Sequence, residues 1–163
     1  MNKTFAGFLV VGLVVVLGIA WLMSRDVEEE PLTYIIQLYY YNPELDTDAT
    51  GNVMCSRAGL VPVQREITTH TPIEDTIRLL LSGELTEEER AAGITTEYPL
   101  EGFELVSATL EDGVLTFTFN DPEGRTVGGS CRVGILWAQI DETARQYEGV
   151  EEVRFLPEEL FQP

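Results

Sequence analysis

The chain opens on an unbroken apolar run and then changes character. Residues 5–23 read FAGFLVVGLVVVLGIAWLM, with no charged or strongly polar side chain on any face. At about 1.5 Å per residue, a helix over this run spans roughly the ~30 Å hydrocarbon core of a bilayer. A core helix would carry a polar stripe, and none is present. Signal-peptide apolar regions are shorter, about 7–15 residues, and lead to a small-x-small cleavage site. No such site follows this run, and no cysteine stands near its end. The pattern predicts an uncleaved transmembrane anchor over residues 1–24 and an acidic, Pro31-containing linker over 25–32.

Beyond the linker the period shortens. Thr33–Tyr41 is dense in β-formers and reads as a strand ended by Asn42-Pro43. Glu44–Asn52 is a polar loop. Leu60–Thr68 reads as a second strand, with Pro62 marking an edge. Thr71-Pro72-Ile73-Glu74 has the form of a capping box with proline at the first helical position. Ile73, Ile77, Leu80 and Leu81 follow at helical spacing up to Gly83. Thr86–Glu89 offers a second capping box for a short helix over Glu87–Ala92. Asp112-Gly113 suits a two-residue type I′ turn. That turn sets Leu110 against Leu115, Ala108 against Phe117 and Val106 against Phe119 on one face, with Thr109, Thr116 and Thr118 on the other. After the polar stretch Asn120–Gly129, Ser130 is placed to cap a helix. Its stripe is Val133, Leu136, Trp137, Ile140, Ala144 and Tyr147, and it ends at Gly149. Val150–Leu156 is the last strand.

The order β-β-α-β-β-α-β over residues 33–157, with a tail over 158–163, points to an α+β domain behind an N-terminal transmembrane helix. The compact solution is one mixed sheet with both long helices packed on one face.

Charge narrows the partners. The formal net charge is −18 and Lys3 is the only lysine. A phosphate backbone needs basic contacts, so nucleic acid is not expected as a ligand; docking on an anionic lipid surface is disfavoured too. Basic residues flanking the anchor nearly balance, with Lys3 before it and Arg25 after it. A short leading tail favours export of the chain beyond the anchor, so the domain is expected outside the cytoplasm, on a single-pass anchor in the cell membrane. There Cys55 and Cys131, the only two cysteines, suggest one disulfide between the polar loop and the second long helix. Two cysteines and the lone His70 do not make a zinc site.

Candidate chemistry is sparse. Asp46-x-Asp48-x-Thr50-Gly51 copies the first half of an EF-hand loop, which makes Asp46, Asp48 and Thr50 candidate calcium ligands. Arg57 stands where the bidentate glutamate of such a loop belongs. No other cofactor is expected. His70 is the only histidine available as a base for a nucleophile, and the carboxylates lie in surface runs such as Glu87-Glu88-Glu89, so no enzyme is expected. Arg65 is expected to pair with an acid such as Glu66 or Glu74, the alternative being a charge presented to a partner. Tyr39 and Tyr41 are candidate aromatics for a glycan.

The ordered segments resemble the GerMN domain, known from spore germination, from about Thr33 to Leu156. The resemblance rests on Leu38-Tyr39-Tyr40, the strand Leu60-Val61-Pro62-Val63-Gln64-Arg65 and the helix end Leu79-Leu80-Leu81-Ser82-Gly83. Gly93-Ile94-Thr95-Thr96, Pro99, the hairpin, the Trp137 helix and the closing strand from Gly149-Val150 to Phe155 complete it. Glu84 departs from the proline that often follows the helix glycine, and Thr116–Asn120 replaces an acidic-hydroxyl strand end. The resemblance implies a membrane- or wall-associated domain outside the cytoplasm, with no assigned catalytic residues and a fold similar to ring-building domains. The expected role is a non-enzymatic interaction or assembly module of the cell envelope, partnered by itself or by other envelope proteins. The alternative is an extracellular domain binding cell-wall glycan or calcium.

Overall fold

The alternating segments form strands where their side chains divide between core and solvent. The computed structural model describes residues 30–162. β1 (Leu32–Tyr41) and β2 (Leu60–Thr69) pair antiparallel, Ile36 against Arg65 and Leu38 against Val63. Helix α1 (Pro72–Leu81) and the short α2 (Glu87–Ala91) come next. β3 (Glu104–Glu111) and β4 (Val114–Asn120) form the hairpin, and α3 (Ser130–Ala144) leads to β5 (Glu152–Leu156), which pairs parallel with β4. These elements lie in one compact unit, Pro31–Pro163. The expected anchor lies outside the described residues. Among those described, no helix is long and apolar enough to cross a membrane.

The expected single sheet is instead two: β1-β2, and β3-β4-β5. The reason lies on the second edge of β1. Gln146 accepts from the Gln37 N–H and donates to the Gln37 carbonyl, both at 2.8 Å. The Tyr39 N–H donates to Thr143 Oγ1 at 3.0 Å. Tyr41 exchanges backbone hydrogen bonds with Thr95. Side chains at the end of α3 thus take the bonds a third strand would have made, and the ladder stops there. On the other side β2 is an edge strand, as Pro62 predicts. Pro62 lies opposite Tyr39, whose N–H turns away from β2, so the N–H that proline lacks would point outward too.

The hairpin register holds from Glu111–Val114 to Ser107–Thr118. It then slips. A bulge between Leu105 and Ser107 sets Leu105, not Val106, opposite Phe119 and leaves Val106 58% exposed. The turn itself has positive φ at Asp112 (49°) and Gly113 (82°), as a type I′ turn requires.

One apolar cluster joins both sheets, α1 and α3. It includes Leu38, Tyr40, Ile77, Leu80, Phe117, Leu136 and Ile140, each at or below 1% exposure. Leu160 and Phe161, expected in the tail, are buried in it as well.

Two helix starts differ from expectation. Thr71 makes no cap to the α1 backbone; its hydroxyl donates to Asp75 at 3.0 Å, while Glu74 accepts from the Ala108 N–H on β3. Glu74 is drawn to the β3 edge, and Asp75 gathers the hydroxyls of Thr69 and Thr71. Ser130 is the first residue of α3, and Gly129 holds the cap position. The Thr86–Glu89 capping box forms as expected.

Candidate functional site

The segment between the first two strands gathers most of the residues singled out from the sequence. Its ends are tied by the Asn42 N–H donating to the Gly59 carbonyl at 2.8 Å. A 3₁₀ turn at Pro43–Leu45 begins it and another at Arg57–Gly59 ends it. Between them the chain doubles back, with Thr47 bridged to Val53.

Asp46 is the inner fastener of this loop. Its carboxylate accepts from the Tyr41 hydroxyl at 2.6 Å, the Ser56 N–H at 2.5 Å and the Ser56 hydroxyl at 2.6 Å. Those donors, Ser56 first, hold the Asp46 carboxyl below the usual carboxylate range. Burial, with help from the Asp46 charge, pushes the Tyr41 phenol up to about 12. Gly59 leaves room for this arrangement, since a Cβ there would sit 2.4 Å from the Tyr41 ring. Tyr41 is 5% exposed, so the structure does not offer it as a glycan platform. Tyr39 is half-buried under the end of α3.

Asp48 is the outer fastener. Its oxygens accept from the N–H groups of Thr50 and Asn52, the Thr50 hydroxyl and the Asn52 side chain, at 2.7–3.1 Å. These bonds, the Thr50 hydroxyl first, depress the Asp48 pKa strongly. The structure thus does not bring the three candidate calcium ligands to a common point through their hydrogen bonds. Asp46 turns inward to Tyr41 and Ser56; Asp48 and Thr50 close their own turn. Among the described residues, no group of three or more His, Cys, Asp or Glu is placed to hold a metal.

Two ties bind this loop to α3. Cys55 and Cys131 form a disulfide with their Cα atoms 5.2 Å apart. Arg57 reaches Asp141 and, at 2.7 Å, Glu142, while its guanidinium lies 4.7 Å from the centre of the Trp137 ring. Asp141 has a fully buried side chain and also accepts from Arg145 at 2.8 Å. In the sequence Arg57 stands out only as a departure from the calcium pattern. The one local signal for the network was the Asp141–Arg145 spacing of four on a helix.

Arg65, expected to meet Glu66 or Glu74, is held by Glu89 through paired bonds of 2.7 and 2.8 Å. That fork, the first cause, keeps the Glu89 carboxyl below its usual range. It fastens α2 to β2. His70 is exposed beside the α1 start.

With these residues engaged, the loop still presents Leu45, Val53 and Met54 to solvent at 63%, 45% and 57% exposure. It is therefore a clipped platform: polar side chains turned to holding its shape, apolar ones turned out.

Comparison with known proteins agrees with the fold. No curated protein matches the chain. The tandem GerMN domains of the sporulation protein GerM from Bacillus subtilis superpose with a TM-score of 0.54 at 20% identity, over 83% of this chain and 43% of that one. The chain thus spans less than half the length of that structure. A protein described as a lipoprotein from Clostridium perfringens is more distant, with a TM-score of 0.39 at 14% identity over 80% of this chain and 79% of that one. A family model described as Germane, sporulation and spore germination, matches residues 37–159, most of the chain, and the chain belongs to that family.

Proposed function

We propose that this protein is a membrane-anchored, extracytoplasmic interaction module of the cell envelope that works by assembly and not by catalysis. The observation behind the reading is the clipped loop. Leu45, Val53 and Met54 are held out to solvent by a segment tied through Asp46, Asp48, the Cys55–Cys131 disulfide and Arg57. A surface fixed in advance loses little conformational entropy when a partner covers it, and exposed apolar side chains supply the area to be buried. Family membership and the apolar run over 5–23 support the envelope setting. A disulfide also suits an oxidising compartment.

The test is site-specific photocrosslinking in intact cells, with the probe placed at Met54 and, as a control, at exposed Glu123. A discrete adduct from Met54 that Glu123 does not give supports the reading, and mass spectrometry identifies the captured chain. Equal yields from the two positions, or none from Met54, refute it. Protease access to the domain in intact cells tests its side of the membrane.

A further inference from the structure

The three-stranded sheet ends at β5, and that edge is open. The Glu152 N–H donates to the Gly113 carbonyl, on the β4 side, at 3.1 Å. Strand alternation then turns the N–H and C=O groups of Val153 and Phe155 away from β4. Among the described residues β5 has no other strand partner, and no backbone bond reaches those four groups. Beside the edge runs a groove of about 620 Å³, walled by α3 and by the segment after β5. Trp137 and Phe155 line it with ring centres 6.3 Å apart, and Val133, Gly134, Leu160 and Phe161 add to its apolar surface.

Gly134 is the telling residue. It lies inside a fifteen-residue helix, where glycine is disfavoured relative to alanine. A Cβ there would meet nothing within 4 Å, so the chain's own packing does not require a glycine. Close passage of another backbone would. A strand added to β5 would run about 4.8 Å from it, between the edge and the helix.

Charge selects the occupant. Arg154 is committed to Glu152 at 2.6 Å and feels Glu158 as well, so this trio carries a net negative charge. A second copy would add a chain of net charge −18 beside this one. We propose that the groove takes an extended segment of another protein as a fourth strand on β5, with apolar side chains against Trp137 and Phe155 alternating with Lys or Arg. The groove shares no lining residue with the Asn42–Gly59 loop, although Arg57 of that loop lies over the Trp137 ring; Gly134→Leu tests the groove and the Met54 probe tests the loop, at residues that belong to only one surface each.

The test uses the full chain in detergent micelles at about 0.15 M salt, where general charge attraction is largely screened. The probe is a fluorescein-labelled peptide of alternating valine and arginine, followed by anisotropy. Saturable binding is expected. Gly134→Leu should weaken it about tenfold or more without lowering the melting temperature. Methylating alternate backbone nitrogens of the probe should abolish it, independently of any variant. Absence of saturable binding overturns the proposal. So does equal binding by Gly134→Leu and by the methylated probe, which would reduce the effect to attraction by an acidic surface. A dimer in sedimentation that Gly134→Leu converts to monomer would assign the edge to a second copy and overturn the proposed partner.

Discussion

Arg57, on the loop after β1, holds Asp141, whose carboxylate on α3 has no solvent exposure, and Arg145 holds the same carboxylate from one helical turn on. Either arginine alone leaves the buried charge paired. Loss of both strands it, and an uncompensated buried charge costs far more than a lost surface bond. Arg57→Ala and Arg145→Ala should each cost about 1 kcal/mol. The double variant should cost about 3–5 kcal/mol, more than the sum. Urea denaturation of the four proteins in the cycle measures the excess, and simple additivity would show that Asp141 does not depend on the pair.

Reduction of Cys55–Cys131 removes a crosslink between residues 76 apart in sequence. In the chain-entropy account this is worth roughly 4 kcal/mol or less, on the order of a 10 °C fall in melting temperature for a domain of this size. Calorimetry with and without a dithiol reductant checks it. Hydrogen exchange should show the loss first in residues 43–56, since the disulfide is one of the two ties from that loop to α3.

The same substitution should have opposite signs at two glycines. Gly83 has φ +65°, and a Cβ there would sit 1.9 Å from the Tyr98 carbonyl oxygen, so Gly83→Ala should cost about 3 kcal/mol or more. At Gly134 the Cβ enters open space, and Gly134→Ala should stabilise by up to about 1 kcal/mol. Thermal melts of the two variants decide this directly.

Asp46, Asp75 and Glu89 all have folded pKa values lowered by their partners, Ser56, Thr69 and Arg65 first in turn. A lowered folded pKa gives stability that is complete above the unfolded value of about 4 and is lost as pH falls through the folded one. Self-repulsion among the other acids relaxes over the same range, so the wild type alone is ambiguous. The difference between wild type and Asp46→Asn isolates the effect. The gap in melting temperature should be fully open at pH 7, begin to narrow below about pH 4 and close as the pH falls through the lowered folded value. A gap independent of pH would mean that the Asp46 charge does not matter.

Calcium is expected to find little purchase in the loop, because Asp46 and Asp48 already satisfy their oxygens with protein donors. Calorimetric titration to about millimolar calcium, the range of weak extracellular sites, should give no saturable heat. A saturable signal lost in Asp48→Asn would reverse that expectation and restore the loop as a metal site.

Local periodicity was enough to determine the strands, the helices, the type I′ turn and the Thr86–Glu89 box, because these depend on neighbours within a few residues. The count of two cysteines, with the expected oxidising compartment, marked Cys55 and Cys131 as a pair. Tertiary structure decided what lies across from each element. The expected single sheet became two because Gln146, Thr143 and Thr95 take the outer bonds of β1, and hydrogen bonds between residues so far apart leave no local trace. Gln139, Asp141 and Thr143 are polar and lie outside the apolar stripe of α3, yet all three are fully buried. Their partners come from Thr96, Arg57 and β1. Arg65 found Glu89 for the same reason: an exposed charge has several acids within reach, and only the packing of α2 against β2 selects one. What periodicity cannot register is the fate of a polar group whose partner lies on another element.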